Sequence, residues 1–78
     1  MIQYSMKENI QGNAVSYSID MINCTAPSIT MALWGDMRRW CYENIKHCDY
    51  YVTQIGHYKI EAGFANIESA MAFKMRWI

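Results

Sequence analysis

Between Tyr58 and Ile78 the side-chain rhythm changes once, and that change constrains the fold more than any other feature. Tyr58, Ile60, Ala62 and Phe64 fall on every second position; after Asn66, Ile67, Ala70, Met71, Lys74 and Ile78 recur at three- and four-residue steps. A period of two belongs to a strand with one buried face, and a period near 3.6 belongs to a helix. The segment therefore reads as a strand, a capping residue and a helix. Asn66 offers the capping oxygen, and Glu68 stands near the positive end of the helix.

The same reading extends backwards. Ile2, Tyr4 and Met6 alternate with Gln3, Ser5 and Lys7, which predicts a short strand. Glu8 to Asn13 reads as a turn, with Gly12 and Asn13 able to take positive φ. Val15, Tyr17, Ile19 and Met21 alternate with Ser16, Ser18 and Asp20, the pattern of a half-buried strand. The two runs pair as a hairpin.

Pro27 suits the first turn of a helix, where its missing N–H would be unpaired anyway. Thr25 or Ser28 offers the capping hydroxyl. The helix is expected over about 27–47, with Gly35 costing roughly 1 kcal/mol relative to alanine. At ~100° per residue, Leu33, Trp34, Met37, Trp40, Cys41, Ile45 and Cys48 share one face. Asp36, Arg38, Arg39, Tyr42, Glu43 and Lys46 share the other. Such a helix should lie across a sheet. Tyr50 to Ile55 is rich in strand formers. Gly56-His57 fits a two-residue turn with glycine first, and Tyr58 to Phe64 returns antiparallel.

The order is ββαββα. The expected architecture is α+β in two layers: a four-stranded antiparallel sheet with both helices on one face. Seventy-eight residues make one small domain, and no linker, repeat or low-complexity tract divides it.

Composition narrows the classes. Apolar residues reach 53%, which argues against intrinsic disorder. No apolar run approaches the ~20 residues of a membrane span. Met1 to Lys7 lacks a basic segment followed by an apolar one, so no signal peptide is expected. Cys24, Cys41 and Cys48 are odd in number, and reduced thiols in a cytoplasm are the default. Asn23-Cys24-Thr25 matches a glycosylation acceptor, which carries no meaning in that compartment.

Reactive groups are sparse. Cys41, His47, Cys48 and His57 could hold zinc, but they lack the close Cys-x-x-Cys knuckle of structural sites. Read as small buried hydrophobes, the two helical cysteines need no metal. Within an intact helix ~10.5 Å of rise separates them, too far for a disulfide. His47 and Cys48 are adjacent and diverge by ~100°. A helix C-terminus also disfavours a thiolate. There is no cofactor loop and no catalytic constellation. The expectation is a non-enzyme without cofactor or metal.

Aromatic and basic residues interleave. Trp34, Trp40, Tyr42, Tyr50, Tyr51, Tyr58 and Trp77 lie among Arg38, Arg39, Lys46, Lys59, Lys74 and Arg76. That mixture could stack on single-stranded nucleic acid, and Arg38, Arg39 and Lys46 on the polar side of the first helix would carry it. Against this, Trp40 and Tyr58 fall on expected core faces. The open sheet face should show Ser16, Ser18, Asp20, Lys59 and Glu61. The formal net charge is also zero, where a nucleic-acid binder would show a basic excess.

Two residues break the binary pattern, as residues at functional or assembly sites often do. Asn44 falls within the apolar face of the first helix, where a buried amide needs partners or costs about 1–3 kcal/mol. It would bond backbone at a strand end, or pair with its symmetry mate at a dimer seam. Lys74 falls within a broad apolar arc on the second helix and should extend its ammonium to the rim. Met71, Met75 and Trp77 would then form an adaptable patch around Lys74, unless a fuller core against the first helix buries them.

The segment Phe64-Ala65-Asn66-Ile67-Glu68-Ser69-Ala70-Met71-Ala72-Phe73-Lys74-Met75-Arg76-Trp77 resembles the ending of small uncharacterised proteins of tailed bacteriophages, notably of marine bacteria. Those chains also run an aromatic strand into an acidic, Ala/Met-rich helix start and a Phe-Lys-x-Arg-Trp close. Ser69 stands here where a second acidic residue is common. Trp40-Cys41-Tyr42-Glu43-Asn44 is similar to their helix ends. The resemblance covers about a third of the chain. It implies a phage-encoded accessory protein in a bacterial cytoplasm and brings no catalytic residues. The functional expectation is a protein-interaction module with a protein partner, or a homodimer, acting away from membranes and docking through the Met/Trp-rich end of the second helix or the exposed face of the first.

Overall fold

The chain first reverses at Gly12-Asn13. Gly12 takes a φ of 63° and Asn13 does not enter the positive region, the pattern of a tight hairpin turn with glycine first. A two-residue turn leaves no room for the broader loop expected over Glu8–Asn13. Strand β1 (Tyr4–Gln11) therefore runs up to the turn, and β2 (Ala14–Met21) returns from Gln11↔Ala14 to Tyr4↔Met21. The computed structural model describes residues 2–78; Met1, the first residue of the stretch read for a leader, lies outside them.

Helix α1 (Pro27–Asn44) follows, with Pro27 in its first turn. Its cap differs from expectation. Ala26 is the N-cap, extended as a residue before proline tends to be, and neither Thr25 nor Ser28 supplies a side-chain cap.

The other end differs too. Ile45 adopts an extended backbone, its N–H bonds Cys41 C=O at 2.8 Å, and its side chain is buried. Dropping Ile45 into the core ends the helix three residues before the expected end. Cys48 packs against the core from the connection beyond. Asn44, expected inside the apolar face, is exposed. The helix stops at Asn44, so its side chain folds back and donates to Trp40 C=O at 2.8 Å.

Strands β3 (Tyr50–Gly56) and β4 (Lys59–Phe64) form the second hairpin, and α2 (Ile67–Trp77) ends the order ββαββα. The turn is His57-Tyr58, one residue later than expected. The register shifts between Gln54 and Gly56, so Ile55 stands outside the pairing and Tyr58 lies in the turn, exposed. Asn66 caps α2 as expected, accepting the Ser69 N–H at 2.8 Å, with Glu68 in the first turn.

The strand order is β1-β2-β4-β3, antiparallel throughout. Val15, Tyr17, Ile19, Val52, Ile60, Ala62 and Phe64 point to one face and meet Leu33, Met37 and Cys41 of α1 and Ala70 and Phe73 of α2 in a single core. Helix α1 packs over β3 and β4, and α2 over β2 and β4. The Trp34 indole fastens α1 to β3 by donating to Val52 C=O at 2.8 Å. Among the described residues no helix is long and apolar enough to cross a membrane.

Phe73 stands where the layers meet. Its ring lies 5.0 Å from Phe64, 5.7 Å from Tyr17, 6.1 Å from Trp40 and 6.2 Å from Trp77, between centroids. Phe73→Ala should therefore cost about 3–5 kcal/mol, whereas Met75→Ala on the outside of the same helix should change stability by less than ~0.5 kcal/mol. Urea titrations of the two variants check this, and equal losses would contradict the packing.

Candidate functional site

Helix α2 is tied along the first hairpin by polar contacts. The Tyr4 hydroxyl donates to Trp77 C=O. Lys74 Nζ lies 3.6 Å from the Glu8 carboxylate. The buried Tyr17 hydroxyl is 2.9 Å from Ala70 C=O and 3.1 Å from Glu8 Oε2. It has one proton for two acceptors, and the shorter contact marks Ala70 as the recipient. These contacts set Trp77 level with Tyr4, and Lys74 and Ala70 level with Glu8. One helical turn earlier, Ile67 comes level with Ile10.

The outward side of α2 carries Ile67, Met71, Met75 and Ile78, all exposed. At ~100° per residue they fall within about 80° of arc. Met75 and Ile78 are 78% and 80% exposed, and Ile10 on β1 is 56% exposed, so the stripe is open along its length.

Of the four residues expected to form a patch, Met71 and Met75 belong to this stripe. Lys74 extends to its rim and meets Glu8. Trp77 turns inward, half-buried against Phe73, with Arg76 stacked on its ring at 4.5 Å. Ile67 and Ile78 complete the stripe. Their four- and three-residue spacing from Met71 and Met75 was the signal that could have found them.

Beneath the end of α2 lies a hollow of about 590 Å³, lined by Ile2, Tyr4, Met6, Ile22, Trp77 and Ile78. The Trp77 indole N–H is buried and has no hydrogen-bond partner among the described residues. Burial raises the Tyr4 phenol above its usual range, partly offset by the Arg76 charge.

The cations of α1 are dispersed. Arg38 stacks over the Trp34 ring at 4.9 Å. Lys46 lies beyond the helix end, 5.7 Å above the Tyr42 ring, and donates to Tyr42 C=O at 3.2 Å. Arg39 is exposed. The backbone register puts Lys7, Asp20, Lys59 and Glu61 on the open sheet face, two cations and two anions, with Lys59 3.7 Å from Asp20.

At one end of that face a cavity of about 360 Å³ is lined by residues including Asn9, Gln11, Ser16, Tyr51 and Gly63. The Tyr51 ring lies flat on Gly63, where any Cβ would collide with it. Its hydroxyl donates to Glu61 at 2.5 Å, and that bond, with burial, raises the Tyr51 phenol. Nothing in the alternation marked Gly63 as the seat of a ring.

The cysteine–histidine set does not assemble. Cys41 is buried in the core, while His47 and His57 are exposed. Among the described residues no group of three His, Cys, Asp or Glu side chains could hold a metal ion. Burial, with a smaller push from Cys48, raises the Cys41 thiol to about 12, the opposite of what a nucleophile needs. No protein-family model, curated protein or solved structure matches this chain.

Two buried acids make the fold sensitive to alkali. Burial and the neighbouring Glu8 carboxylate push the Tyr17 phenol to about 12 from its ordinary 10.0, and the Cys41 thiol rises from 9.0 to about 12. Both groups bind their proton more tightly folded than unfolded. Their contribution is therefore complete below pH 9 and is lost as pH rises towards 12. Denaturation midpoints across that range should fall, and Tyr17→Phe should flatten the decline above pH 10; an unchanged slope would contradict this. Gly63→Ala should displace the Tyr51 ring and cost roughly 1–3 kcal/mol, read by near-ultraviolet circular dichroism and urea titration.

Proposed function

We propose that this chain is a non-enzymatic protein-interaction module that docks a protein partner through the outward face of α2. The observation that carries this reading is the exposed stripe Ile67, Met71, Met75 and Ile78 on a helix whose other face already fills the core. A folded monomer gains nothing from keeping such a stripe in water, and contiguous apolar surface of this kind marks association. Methionine in two of the four positions suits a surface that adapts to its partner.

The remaining chemistry supports the same reading. The core thiol is enclosed, and burial raises it away from the thiolate a nucleophile needs. The zero net charge, with Arg38 and Lys46 turned onto rings of their own chain, favours a protein over a nucleic acid as the partner. We also propose a bacterial cytoplasm as the setting and a phage-encoded accessory protein as the type, on the resemblance of residues 64–77 and 40–44.

The test is a double variant, Met71→Glu with Met75→Glu. Both side chains are in solvent, so the melting temperature should move by no more than about 2 °C. Affinity capture from bacterial lysate should lose the proteins that the unmodified chain retains. Equal retention by both chains overturns the reading, as does the absence of specific retention from a chain that is also monomeric in solution.

A further inference from the structure

We infer that the chain forms a twofold dimer by antiparallel pairing of β1 with β1 of a second copy, centred on Met6. This names the partner for the interaction reading above and rests on it.

The argument begins at the sheet edges. In the order β1-β2-β4-β3, the edges are β1 and β3. The β3 edge is blunted by the shift at Gln54/Gly56 and lies beneath α1. The β1 edge is eight residues long, pairs without a shift and contains no proline. Edges of this kind recruit further strands.

The free hydrogen-bonding groups of β1 can be assigned. The Ile22 N–H donates to Gln3 C=O at 2.9 Å, and the two-residue turn makes Gln11 and Ala14 a bonded pair. Bonded pairs alternate along an antiparallel ladder, so Gln3, Ser5, Lys7, Asn9 and Gln11 bond β2. The N–H and C=O groups of Tyr4, Met6, Glu8 and Ile10 face outward.

Charge selects the register. Residues directly opposite share a face, so a symmetric pair must centre on one residue. Centring on Lys7 opposes two ammonium groups, and centring on Glu8 opposes two carboxylates; like charges directly opposite are unfavourable. Centring on Ser5 or on Asn9 leaves only two residues of the strand to form the bonded pairs, Tyr4 and Met6 or Glu8 and Ile10. Centring on Met6 opposes Lys7 with Ser5 and Glu8 with Tyr4, and it pairs the outward groups of Tyr4, Met6 and Glu8.

The apolar surface fits the same axis. Met6, Tyr4, Trp77 and Ile78 line the hollow at this edge, and Met6 of the second copy would enter it. Met6 lies level with the stretch of α2 between Trp77 and Lys74, so Met75 stands beside the axis. Lys74 turns towards Glu8 on β1, and the stripe continues around the helix from Lys74. Each stripe therefore faces its copy above the joined sheet.

Three measurements on the full chain test this. Sedimentation at micromolar concentration should give a dimer. Amide exchange of Tyr4, Met6 and Glu8 in the unmodified protein should slow by roughly tenfold or more from low to high concentration. In a Cys24→Ser, Cys48→Ser background, Met6→Cys should form a disulfide-linked dimer under mild oxidation, and Glu8→Cys should not. A monomer, unprotected amides or equal cross-linking at the two positions overturns the proposal. A monomer whose α2 double variant still loses captured protein would overturn the dimer alone and leave the interaction reading standing.

Discussion

The ring of Phe73 belongs to every layer at once. It lies against Tyr17 of β2, Phe64 of β4, Trp40 of α1 and Trp77 of its own helix. A chain of 78 residues has little core to spare, so an aromatic shared by sheet and both helices carries a large part of the cohesion. Its placement depends on where α2 begins. Asn66 starts the helix by accepting the Ser69 N–H, and Phe73 follows two turns later on the side that meets the sheet. A start displaced by one residue would rotate the ring by ~100° and turn it away from Tyr17 and Phe64.

A second, polar tie fixes the helix along its length. Tyr17 is buried, so its hydroxyl must find an acceptor, and it finds Ala70 C=O. The Glu8 carboxylate stands at the same hydroxyl and faces Lys74. Lys74 thus interrupts the apolar arc of α2 because a carboxylate on the covered face of β1 stands opposite it. Neither charge has a reason to be there without the other. Together they give a partner to the cation that the sequence reading sent to the rim of the arc.

The strand alternations, the Asn66 cap and the core face of α1 were legible because each follows from one period and one neighbour. The recurrence read for α2 (Ile67, Ala70, Met71, Lys74, Ile78), by contrast, puts only Ala70 in the core. Val15, Tyr17, Ile19, Ile60, Ala62, Phe64, Leu33, Met37 and Cys41 are buried as their spacing requires. Misplacements arose where the chain changes period for a tertiary reason. Ile45 continues the helical pattern of α1 but enters the core from an extended backbone, which left Asn44 in solvent. Tyr58 continues the alternation of β4, but the shift at Gln54/Gly56 moves the turn and carries it out of the sheet. The stripe on α2 was half legible. Met71 and Met75 stood out by residue type, whereas Ile67 and Ile78 looked like ordinary core formers until Phe73 and Ala70 were seen to fill the sheet-facing side.

The asymmetry between the two sheet edges follows from how the helices are distributed. Four strands offer a face wider than α2 alone can cover, and α1 settles over β3 and β4. Helix α2 spans β2 and β4 and meets β1 through Lys74 on Glu8 and the Tyr4 hydroxyl on Trp77 C=O. Strand β1 is thus held in the sheet by its ladder to β2, by Tyr4 and Met6 packed against the core and by two polar contacts to α2, and Ile10 near its end stays open. Among the described residues, the same distribution leaves the outer flank of α2 exposed on the β1 side. Uncovered strand, exposed Ile10 and exposed stripe are therefore one consequence of packing two helices onto four strands off centre. A surface that covered one of them would have to lie against the others.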